Sequence, residues 1–411
     1  MHFIYNCSVY IAGFFLKILA LFSPKLKLFV TGRKHVFNTL NAGVSKEAPV
    51  IWIHTASLGE FEQGLPVIEA LKEQYINYQI LVTFFSPSGY EVKKNATAAD
   101  LITYLPIDTK HNAAEFIKIV HPALVIFVKY EIWPNYLKEL EKGKIPTLLI
   151  SAIFSKRQIF FKGYGSFMRK SLSAFSHFFV QDQNSKDLLR SLDLENSTIS
   201  GDTRFDRVLK ILEQDNTLDF MEKFKQDQHC FVAGSSWPED EAIIVDYINT
   251  TNASLKFVFA PHTIKKEAIQ KLASSIQKRT ILYSELAHKN PSDYEVLIID
   301  TIGILTKVYR YADVAYVGGG FATGLHNTLE PAVFGIPVLI GPKYAGFKEA
   351  EDLVTLKGVI SISDQKSFTL ALDQLISSPK YYEETGKINT RYITERKGAT
   401  GLIMDYIKTL L

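Results

Sequence analysis

Short apolar runs recur along the chain from residue 50 onward, and each is followed by a turn signal and a helix-like stretch. This alternation is typical of parallel α/β architecture, in which helices connect neighbouring parallel strands. The runs are not interrupted by polar residues, as expected of strands that are covered on both faces. The predicted strands are 50–54, 80–85, 101–105, 124–128, 147–150, 177–180, 230–233, 257–260, 296–299, 314–317 and 338–340.

Two domains are expected, because the chain of 411 residues exceeds the roughly 250–300 residues at which one hydrophobic core stops growing. We place one Rossmann-like domain at 36–207 and a second at 229–378, with a charged linker at 208–228. Residues 379–411 are predicted to form two helices that can cross back to the first domain. Two such sheets facing each other would direct the carboxyl ends of their strands to a central cleft, where open α/β sheets bind ligands.

The N-terminal segment 1–35 is both apolar and basic, with five basic residues and no acid. Within it, the apolar stretch 9–22 is interrupted only by Lys17, which shares one narrow helical stripe with Asn6 and Gly13. The stretch barely reaches the about 20 residues of a spanning helix, and its charges follow it, unlike those of a signal peptide. We expect a membrane anchor in a single leaflet, and the alternative is a helix buried against the first domain. The basic flank comprises Lys25, Lys27, Arg33 and Lys34.

Composition and missing motifs exclude several classes of function. The net charge of +3 is too balanced for a protein that coats nucleic acid. Cys7 and Cys230 are far apart and lack the spacing of a zinc site or disulfide framework, which favours a reducing compartment. Walker A, GxSxG and HExxH motifs are absent, as is a GxGxxG after the first strand, so ATP hydrolysis, zinc proteolysis and hydride transfer lose support.

Two acidic residues follow strands of the predicted first domain. Glu60 comes after the first strand, where Ser57 can cap a helix and Gly59 permits a tight turn. Glu60 is a candidate general base for a substrate hydroxyl, or else it stabilises the helix N-terminus. Glu131 follows the fourth strand, three residues before Pro134, which suits a first helical position. Glu131 is therefore a second candidate acid at the same sheet edge, or a helix N-terminal acid.

Charged and glycine-rich loops supply the remaining candidates. Arg204 could neutralise a leaving phosphate, or it could pair with Asp206. His326 and Glu330 are expected on one helix face, where Glu330 could bind both hydroxyls of a ribose or merely belong to a capped helix. Loops rich in Gly, Ser and Thr follow the strands of the second domain, as a phosphate and ribose cradle requires. These loops are 233–236, 260–262, 300–304, 318–320 and 326–331.

In this order, the motifs resemble those of the 3-deoxy-D-manno-octulosonic acid (Kdo) transferases of lipopolysaccharide biosynthesis, over essentially the whole chain. The resemblance implies a GT-B glycosyltransferase fold, with an acceptor-binding and a donor-binding domain. It implies inverting transfer of Kdo from CMP-Kdo to a lipid A precursor, lipid IVA, without a metal or cofactor. It further implies a location at the cytoplasmic face of the bacterial inner membrane. The matching segments are 51–60, 131–135, 201–206, 318–320 and 326–331.

The resemblance also implies roles for individual residues. Glu60, Glu131 and Arg204 correspond to catalytic positions, and Ser57 and Gly59 lie on the acceptor side. No metal ligand is implied. Together with the loop pattern, the resemblance indicates donor binding by Ser235, Pro261, His262, Ile302, Gly303, Ile304, Gly319, Gly320, His326, Asn327, Thr328, Leu329 and Glu330.

Three positions depart from the family pattern. Lys129 stands where many members have a glutamate, and Leu325 replaces a glycine. The segment Ala260–His262 lacks the arginine of the usual Pro-Arg-His, for which Lys265 or Lys266 is a substitute. Two other functions stay open: a GT-B enzyme that uses a UDP-sugar on a lipid, and a non-catalytic, membrane-anchored sensor of sugar nucleotides.

Overall fold

The computed structural model describes all 411 residues, and the chain divides into two units. Unit 1 comprises Met1–Arg207 and Arg396–Leu411, and unit 2 comprises Val208–Glu395. The strands are β1 Val50–Thr55, β2 Gln79–Phe84, β3 Leu101–Tyr104, β4 Pro122–Val128, β5 Thr147–Ala152, β6 His177–Val180, β7 Ser197–Ile199, β8 His229–Ser236, β9 Leu255–Pro261, β10 Thr280–Leu282, β11 Val296–Ile298, β12 Val314–Val317, β13 Val338–Ile340 and β14 Val359–Ser361. The helices are α1 His2–Leu19, α2 Pro24–Gly32, α3 Val36–Gly43, α4 Leu58–Gln74, α5 Pro87–Lys93, α6 Lys110–Val120, α7 Pro134–Lys142, α8 Ser166–Leu172, α9 Gln183–Arg190, α10 Arg204–Glu213, α11 Asp219–Lys225, α12 Pro238–Thr250, α13 Lys266–Ser275, α14 Leu305–Val308, α15 Leu329–Ala332, α16 Lys348–Leu356, α17 Gln365–Ser377, α18 Pro379–Thr394 and α19 Ala399–Ile407.

The sheet of unit 1 is parallel throughout, with strand order β3-β2-β1-β4-β5-β6-β7. Successive residues of its central strands enter different core clusters, Trp52 in one and Ile51 and Ile53 in the other. Both faces of the sheet are therefore covered, as the apolar runs predict. The chain moves outward from β1 toward β3 and then returns to β4 on the other side of β1. The switch point of the sheet lies between β1 and β4.

The sheet of unit 2 is also parallel, in the order β10-β11-β9-β8-β12-β13-β14. Its switch point lies between β8 and β12. From β8 the chain builds one half of the sheet outward to β10, and β12 then begins the other half on the opposite side of β8. All eleven predicted strands are present in the two sheets. The sequence missed β7, β10 and β14, which are three-residue strands at sheet edges. They are only partly buried, so they lack the uninterrupted apolar run of a covered strand.

The predicted linker has more regular structure than expected, whereas the C-terminal segment forms two helices as predicted. Residues 208–228 were predicted as a solvated linker, but they complete α10 and contain α11. Met221 and Phe224 of α11 are fully buried, because its charged residues occupy the other faces. At the C-terminus, α18 lies in unit 2, whereas α19 adds Ile403, Met404 and Ile407 to the core of unit 1.

Helix α1 contacts unit 1 through its polar stripe and exposes its apolar residues. Asn6 is its one buried residue, and the Tyr5 hydroxyl donates a hydrogen bond of 2.6 Å to Asp108 Oδ2. A Cβ on Gly13 would lie 3.8 Å from Ile107. The alternative of an apolar helix buried against the first domain is therefore not what the structure has. Large apolar side chains of residues 1–35 that are at least 40% exposed are Met1, Phe3, Ile4, Tyr10, Ile11, Phe14, Phe15, Ile18, Leu19, Leu21, Phe22 and Leu28.

Close approaches between backbone segments explain the glycine run Gly318–Gly320, which follows β12. A Cβ on Gly318 would lie 2.2 Å from Ser235 O, and one on Gly320 would lie 2.7 Å from Gly341 Cα. Gly319 has a φ of +95°, and a Cβ there would lie 2.1 Å from Gly324 O. The run is thus required by the packing of three backbone segments at the end of the sheet.

We expect Gly320→Ala to destabilise unit 2 by about 1–3 kcal/mol, because the new methyl group meets backbone that cannot move away independently. The matched control is Gly401→Ala in α19, where an added Cβ has nothing within 4 Å. Alanine should stabilise that helix by about 0.5–1 kcal/mol. Thermal unfolding should show a lower midpoint for the first variant and an unchanged or higher one for the second. Equal midpoints would contradict the packing role of Gly320.

Candidate functional site

The two predicted acids of unit 1 lie on the two strands that flank its switch point. Helix α4 begins directly after β1, and Glu60 is in its first turn with 8% exposure. Ser57 is the N-cap residue, but its hydroxyl donates to Glu60 Oε2 instead of accepting from a backbone N–H. Lys129 Nζ lies 3.8 Å from Glu60 Oε1. Glu60, the candidate base, therefore has a carboxylate that Ser57 fixes by a hydrogen bond, with the ammonium group of Lys129 nearby.

Glu131 lies in the loop between β4 and α7. Trp133 Nε1 donates a hydrogen bond of 3.1 Å to Glu131 Oε2, and His54 Nε2 lies 3.7 Å from the same oxygen. Helix α7 begins at Pro134 and has no acid in its first turn, so Glu131 is not a helix N-terminal acid. Because β1 pairs with β4, the structure brings the strand ends that carry Glu60 and Glu131 together at one sheet edge.

Gly59 lies in the first turn of helix α4, so the prediction of a tight turn at this residue is wrong. Its φ is not positive, and an added Cβ would have only Ser57 Oγ nearby, at 3.8 Å. Backbone geometry therefore does not require glycine here. The missing side chain instead leaves open space beside the Ser57–Glu60 pair.

Arg204 is part of an ion pair, but its partner differs from the predicted one. Its Nε and Nη2 atoms each lie 2.9 Å from Asp202 Oδ2. Gln63 Nε2 donates to both oxygens of Asp202, which is 4% exposed. Asp206 instead accepts from the backbone N–H groups of Gly398 and Thr400 at the start of α19. Asp202 thus fixes the guanidinium, and Asp206 caps a helix.

The switch point of unit 2 is organised by a buried carboxylate that sequence reasoning missed. Asp240 accepts hydrogen bonds from Trp237 N and Gly319 N, of 2.9 and 2.8 Å. Its other oxygen accepts from the Tyr316 hydroxyl at 2.6 Å. Asp240 therefore ties the turn after β8 to the glycine run after β12. Its position in the first turn of α12, after Pro238, could have identified it as a capping residue.

Three aromatic rings meet beside these turns. The Trp237 indole is stacked on His262, with ring centres 4.7 Å apart and planes at 16°. His262 and His326 have ring centres 4.6 Å apart, and Trp237 Nε1 donates a hydrogen bond of 3.2 Å to His326 Nε2. Burial and the neighbouring His262 lower the pKa of His326 below its usual value. The sequence indicated both histidines and missed Trp237.

Glu330 is held in place by its neighbours. Its carboxylate accepts from Asn327 Nδ2 at 3.1 Å and from the Thr306 hydroxyl at 3.3 Å. Helix α15 begins only at Leu329, so His326 and Glu330 do not share a helical face as expected. His326 belongs to the preceding loop, where its backbone N–H donates to the backbone carbonyl of Gly318. The Thr328 hydroxyl is buried without a hydrogen-bond partner.

The other donor-side candidates lie on loop tips and at strand ends. Ser235 has a φ of +50° at an irregular point of β8, and Pro261 ends β9. Ile302 is 84% exposed, Gly303 has a φ of +92°, and Ile304 precedes α14. Lys265 and Lys266, of which one is predicted to substitute for the missing arginine, are exposed at the start of α13. No group of three or more His, Cys, Asp or Glu side chains could hold a metal ion.

Comparison with known protein sequences finds Kdo transferases among the relatives of this chain. Residues 32–207 match the family described as 3-deoxy-D-manno-octulosonic-acid transferase (kdotransferase). The 3-deoxy-D-manno-octulosonic acid transferase of Haemophilus influenzae is 29% identical over 389 residues, which cover 88% of this chain and 87% of that protein. The transferase of the same name from Aquifex aeolicus is 28% identical and covers 80% of this chain and 87% of that protein. The resemblance found in the motifs is thereby confirmed.

Solved structures share the fold at low sequence identity. The UDP-GlcNAc 2-epimerase of Neisseria meningitidis gives a TM-score of 0.63 at 17% identity, covering 88% of this chain and all of that chain. MurG of Acinetobacter baumannii gives a TM-score of 0.53 at 13% identity, covering 88% of this chain and 99% of that one. These likenesses confirm the predicted GT-B class of fold.

We expect Trp237→Phe to raise the pKa of His326. The indole N–H donates to His326 Nε2, which favours the neutral ring, and phenylalanine keeps an aromatic ring without that donor. The pH titration of the imidazole C–H signals by NMR measures the change. Trp133→Phe removes an indole from unit 1 and should leave this titration unaltered. An unchanged or lower pKa in Trp237→Phe would contradict the assigned hydrogen bond.

Proposed function

We propose that this chain, a homologue of the Kdo transferases, moves Kdo from CMP-Kdo to a lipid A precursor such as lipid IVA and releases CMP. The observation that carries the proposal is the pair of carboxylates, Glu60 and Glu131, at the switch point of the family-matched domain. Open α/β sheets bind their ligands at such points. The chain is accordingly a glycosyltransferase with its acceptor chemistry in unit 1.

Glu60 acts as the general base. A hydroxyl of the acceptor forms a bond to the anomeric carbon of Kdo and gives its proton to Glu60, while the bond from that carbon to the CMP phosphate oxygen breaks. Attack from the face opposite the phosphate inverts the anomeric centre. Proton removal by a positioned carboxylate contributes about 10²- to 10⁴-fold to the rate. Ser57 donates a hydrogen bond to one oxygen of Glu60, and Lys129 Nζ lies 3.8 Å from the other.

Charge neutralisation on the leaving group needs no metal in this scheme. CMP departs as a stable anion, so a fixed cation is sufficient where phosphate charge develops. Arg204 supplies that cation, and Asp202 keeps its guanidinium in one orientation. Glu131 presents a second carboxylate to the acceptor sugar, whose hydroxyl groups it binds and orients.

Unit 2 binds the donor through the loops at its switch point. Ser235 and the backbone N–H of Gly320 bind the phosphate, since the N–H groups of Gly318 and Gly319 already donate within the protein. Glu330 binds the ribose hydroxyls. The ring cluster of Trp237, His262 and His326 gives an apolar surface with ring N–H donors beside these turns. Thr328, buried and without a partner, has a hydroxyl that can bond to a ligand.

Helix α1 anchors the protein at the membrane. It is long and apolar enough to cross a bilayer, yet Tyr5 and Asn6 in its first turns hydrogen-bond to Asp108 and Asn135 of unit 1. Gly13, two turns later, lies against Ile107. Because residues 5–6 and residue 13 all contact the domain, we favour a helix that lies along the domain, with its exposed apolar face in one leaflet.

The basic flank is smaller than the sequence indicates. Arg33 turns inward, where its guanidinium donates to the carbonyls of Leu105, Phe29 and Phe85 and lies 3.7 Å from the Phe29 ring centre. Burial lowers its pKa to about 10. Lys25, Lys27 and Lys34 are exposed and remain for anionic head groups, on the cytoplasmic leaflet where CMP-Kdo is available.

Incubation of the purified protein with lipid IVA and either CMP-Kdo or UDP-GlcNAc tests the proposal. We expect a product heavier by one or more Kdo residues, only with CMP-Kdo, together with release of CMP. Transfer from UDP-GlcNAc would favour the other class of GT-B enzyme. Binding of CMP without turnover would favour a sensor. Either of these results would overturn the proposed function.

Glu60→Gln should lower kcat at least 10³-fold and leave CMP affinity within about twofold, because the amide keeps the size of the side chain but cannot accept the proton. The control is Glu73→Gln, an exposed acid on the same helix α4, which should retain full activity. Initial rates with radiolabelled donor and calorimetric titration with CMP give the two quantities. Activity within about tenfold of the wild type would exclude Glu60 as the base.

Replacing four exposed apolar residues by glutamine should release the protein from membranes. Phe14, Phe15, Leu21 and Phe22 are 56–81% exposed, and each buried side chain of this size contributes about 1.5–3 kcal/mol. We expect at least tenfold weaker sedimentation with anionic liposomes and nearly unchanged activity on detergent-dispersed acceptor. Substitution is a sharper test than deletion, which would also remove the hydrogen bonds of Tyr5 and Asn6.

A matched control replaces four exposed apolar residues elsewhere by glutamine, namely Ile76, Val92, Leu370 and Leu402, which are 48–80% exposed. This variant should sediment with liposomes like the wild type. Equal release of both variants, or of neither, would show that the exposed face of α1 is not the membrane contact.

A further inference from the structure

His54 is a buried histidine that the scheme above does not use. It lies on β1, is fully buried, and its Nε2 atom has no hydrogen-bond partner. A buried polar atom without a partner costs about 1–3 kcal/mol, and an apolar residue of similar size would avoid that cost. The orphaned nitrogen lies 3.7 Å from Glu131 Oε2.

The neighbours of His54 determine which ring nitrogen carries its proton. Trp52 Nε1 donates a hydrogen bond of 2.8 Å to Thr83 Oγ1, and His54 Nδ1 lies 2.9 Å from the same oxygen. An indole only donates, so the hydroxyl hydrogen of Thr83 is available to His54 Nδ1. Nδ1 is then the acceptor, and the neutral ring carries its proton on Nε2. A donor thus points toward Glu131.

The two oxygens of Glu131 have different surroundings. Oε2 accepts from Trp133 Nε1 and faces His54 Nε2, whereas Oε1 has no hydrogen-bond partner. The His54 ring cannot turn freely, because Phe127 and Trp133 pack edge-on against it at 5.7 and 6.0 Å. Donors on one oxygen only would fix the rotation of the carboxylate and direct Oε1 to a ligand.

We propose that His54 is a positioning residue for the transfer reaction: its Nε2–H bonds to Glu131 Oε2 when the acceptor binds and holds Oε1 toward the acceptor hydroxyls. The proposal deepens the proposed function and rests on it. The separation of 3.7 Å shortens to a hydrogen bond when the site is occupied, as catalytic contacts commonly do between free and bound enzymes. Trp52 and Thr83 support the ring from the core of the sheet.

Two conservative variants separate this role from a packing role. The amide nitrogen of His54→Gln reaches about as far as Nε2 and can donate to Glu131, whereas that of His54→Asn reaches only the position of Nδ1. We expect kcat to fall about 30- to 100-fold in His54→Asn and less than fivefold in His54→Gln, with little change in KM for CMP-Kdo in either. Thermal unfolding confirms that both variants fold. Equal losses in both would overturn the proposal.

A double variant tests the connection to Glu131. If His54 acts only through that carboxylate, His54→Asn should cause no further loss of kcat in a Glu131→Gln background. Independent, additive losses would contradict the proposal.

Nitrogen NMR of the full-length protein, selectively labelled at histidine, provides a readout that does not need turnover. The wild type should show a His54 ring with its proton on Nε2 and none on Nδ1, and Glu131→Gln should change the Nε2 shift without moving that proton. Thr83→Val should release the ring to the other tautomer. A ring protonated at Nδ1 in the wild type would overturn the proposal, even if the protein transferred no Kdo. Conversely, the expected spectra without Kdo transfer would refute the proposed function alone.

Discussion

Parallel pairing of every strand is the constraint on which the rest of the structure depends. It directs all carboxyl ends of a sheet to one edge, and in each sheet the strand order changes direction once. At that point two neighbouring strands send their helices to opposite faces, which leaves an opening between the following loops. In unit 1 these strands are β1 and β4, followed by Glu60 and Glu131. In unit 2 they are β8 and β12, followed by Trp237 and the glycine run.

Buried polar groups hold these loops in place. Asp240 accepts from two turns and from β12 of unit 2, and Asp108 accepts from Tyr5 and from the N–H groups of Asn135 and Tyr136. Burial raises the pKa of Asp108 to about 6, so its charge is costly and its donors are needed. Removal of one partner from such a group leaves the other unpaired, which costs more than the bond itself contributes. The loops therefore keep one arrangement before any ligand is present.

Asp108 also connects the N-terminal helix to the loop region of Glu131. Asn135, whose side chain bonds to Asn6, stands in the first turn of α7, directly after the segment Glu131–Trp133. The helix that carries the exposed apolar face is thus hydrogen-bonded to the element that follows the second acid. The inward face of this helix finds hydrogen-bond partners in the protein through Tyr5 and Asn6, whereas its large apolar side chains stay exposed.

The sequence alone determined the parallel α/β class, eleven of the fourteen strands, the apolar N-terminal helix and the position of two acids beyond strand ends, because these features depend on local hydrophobic pattern and on residues that follow strands. Tertiary structure decided what depends on pairing between distant segments. It showed that α1 contacts unit 1 by its polar stripe, that Arg33 is turned inward, and that Arg204 pairs with Asp202. It also revealed Asp240, Trp237 and the orphaned nitrogen of His54, since the partners of a buried polar atom follow from strand order and packing, which no single stretch of sequence contains.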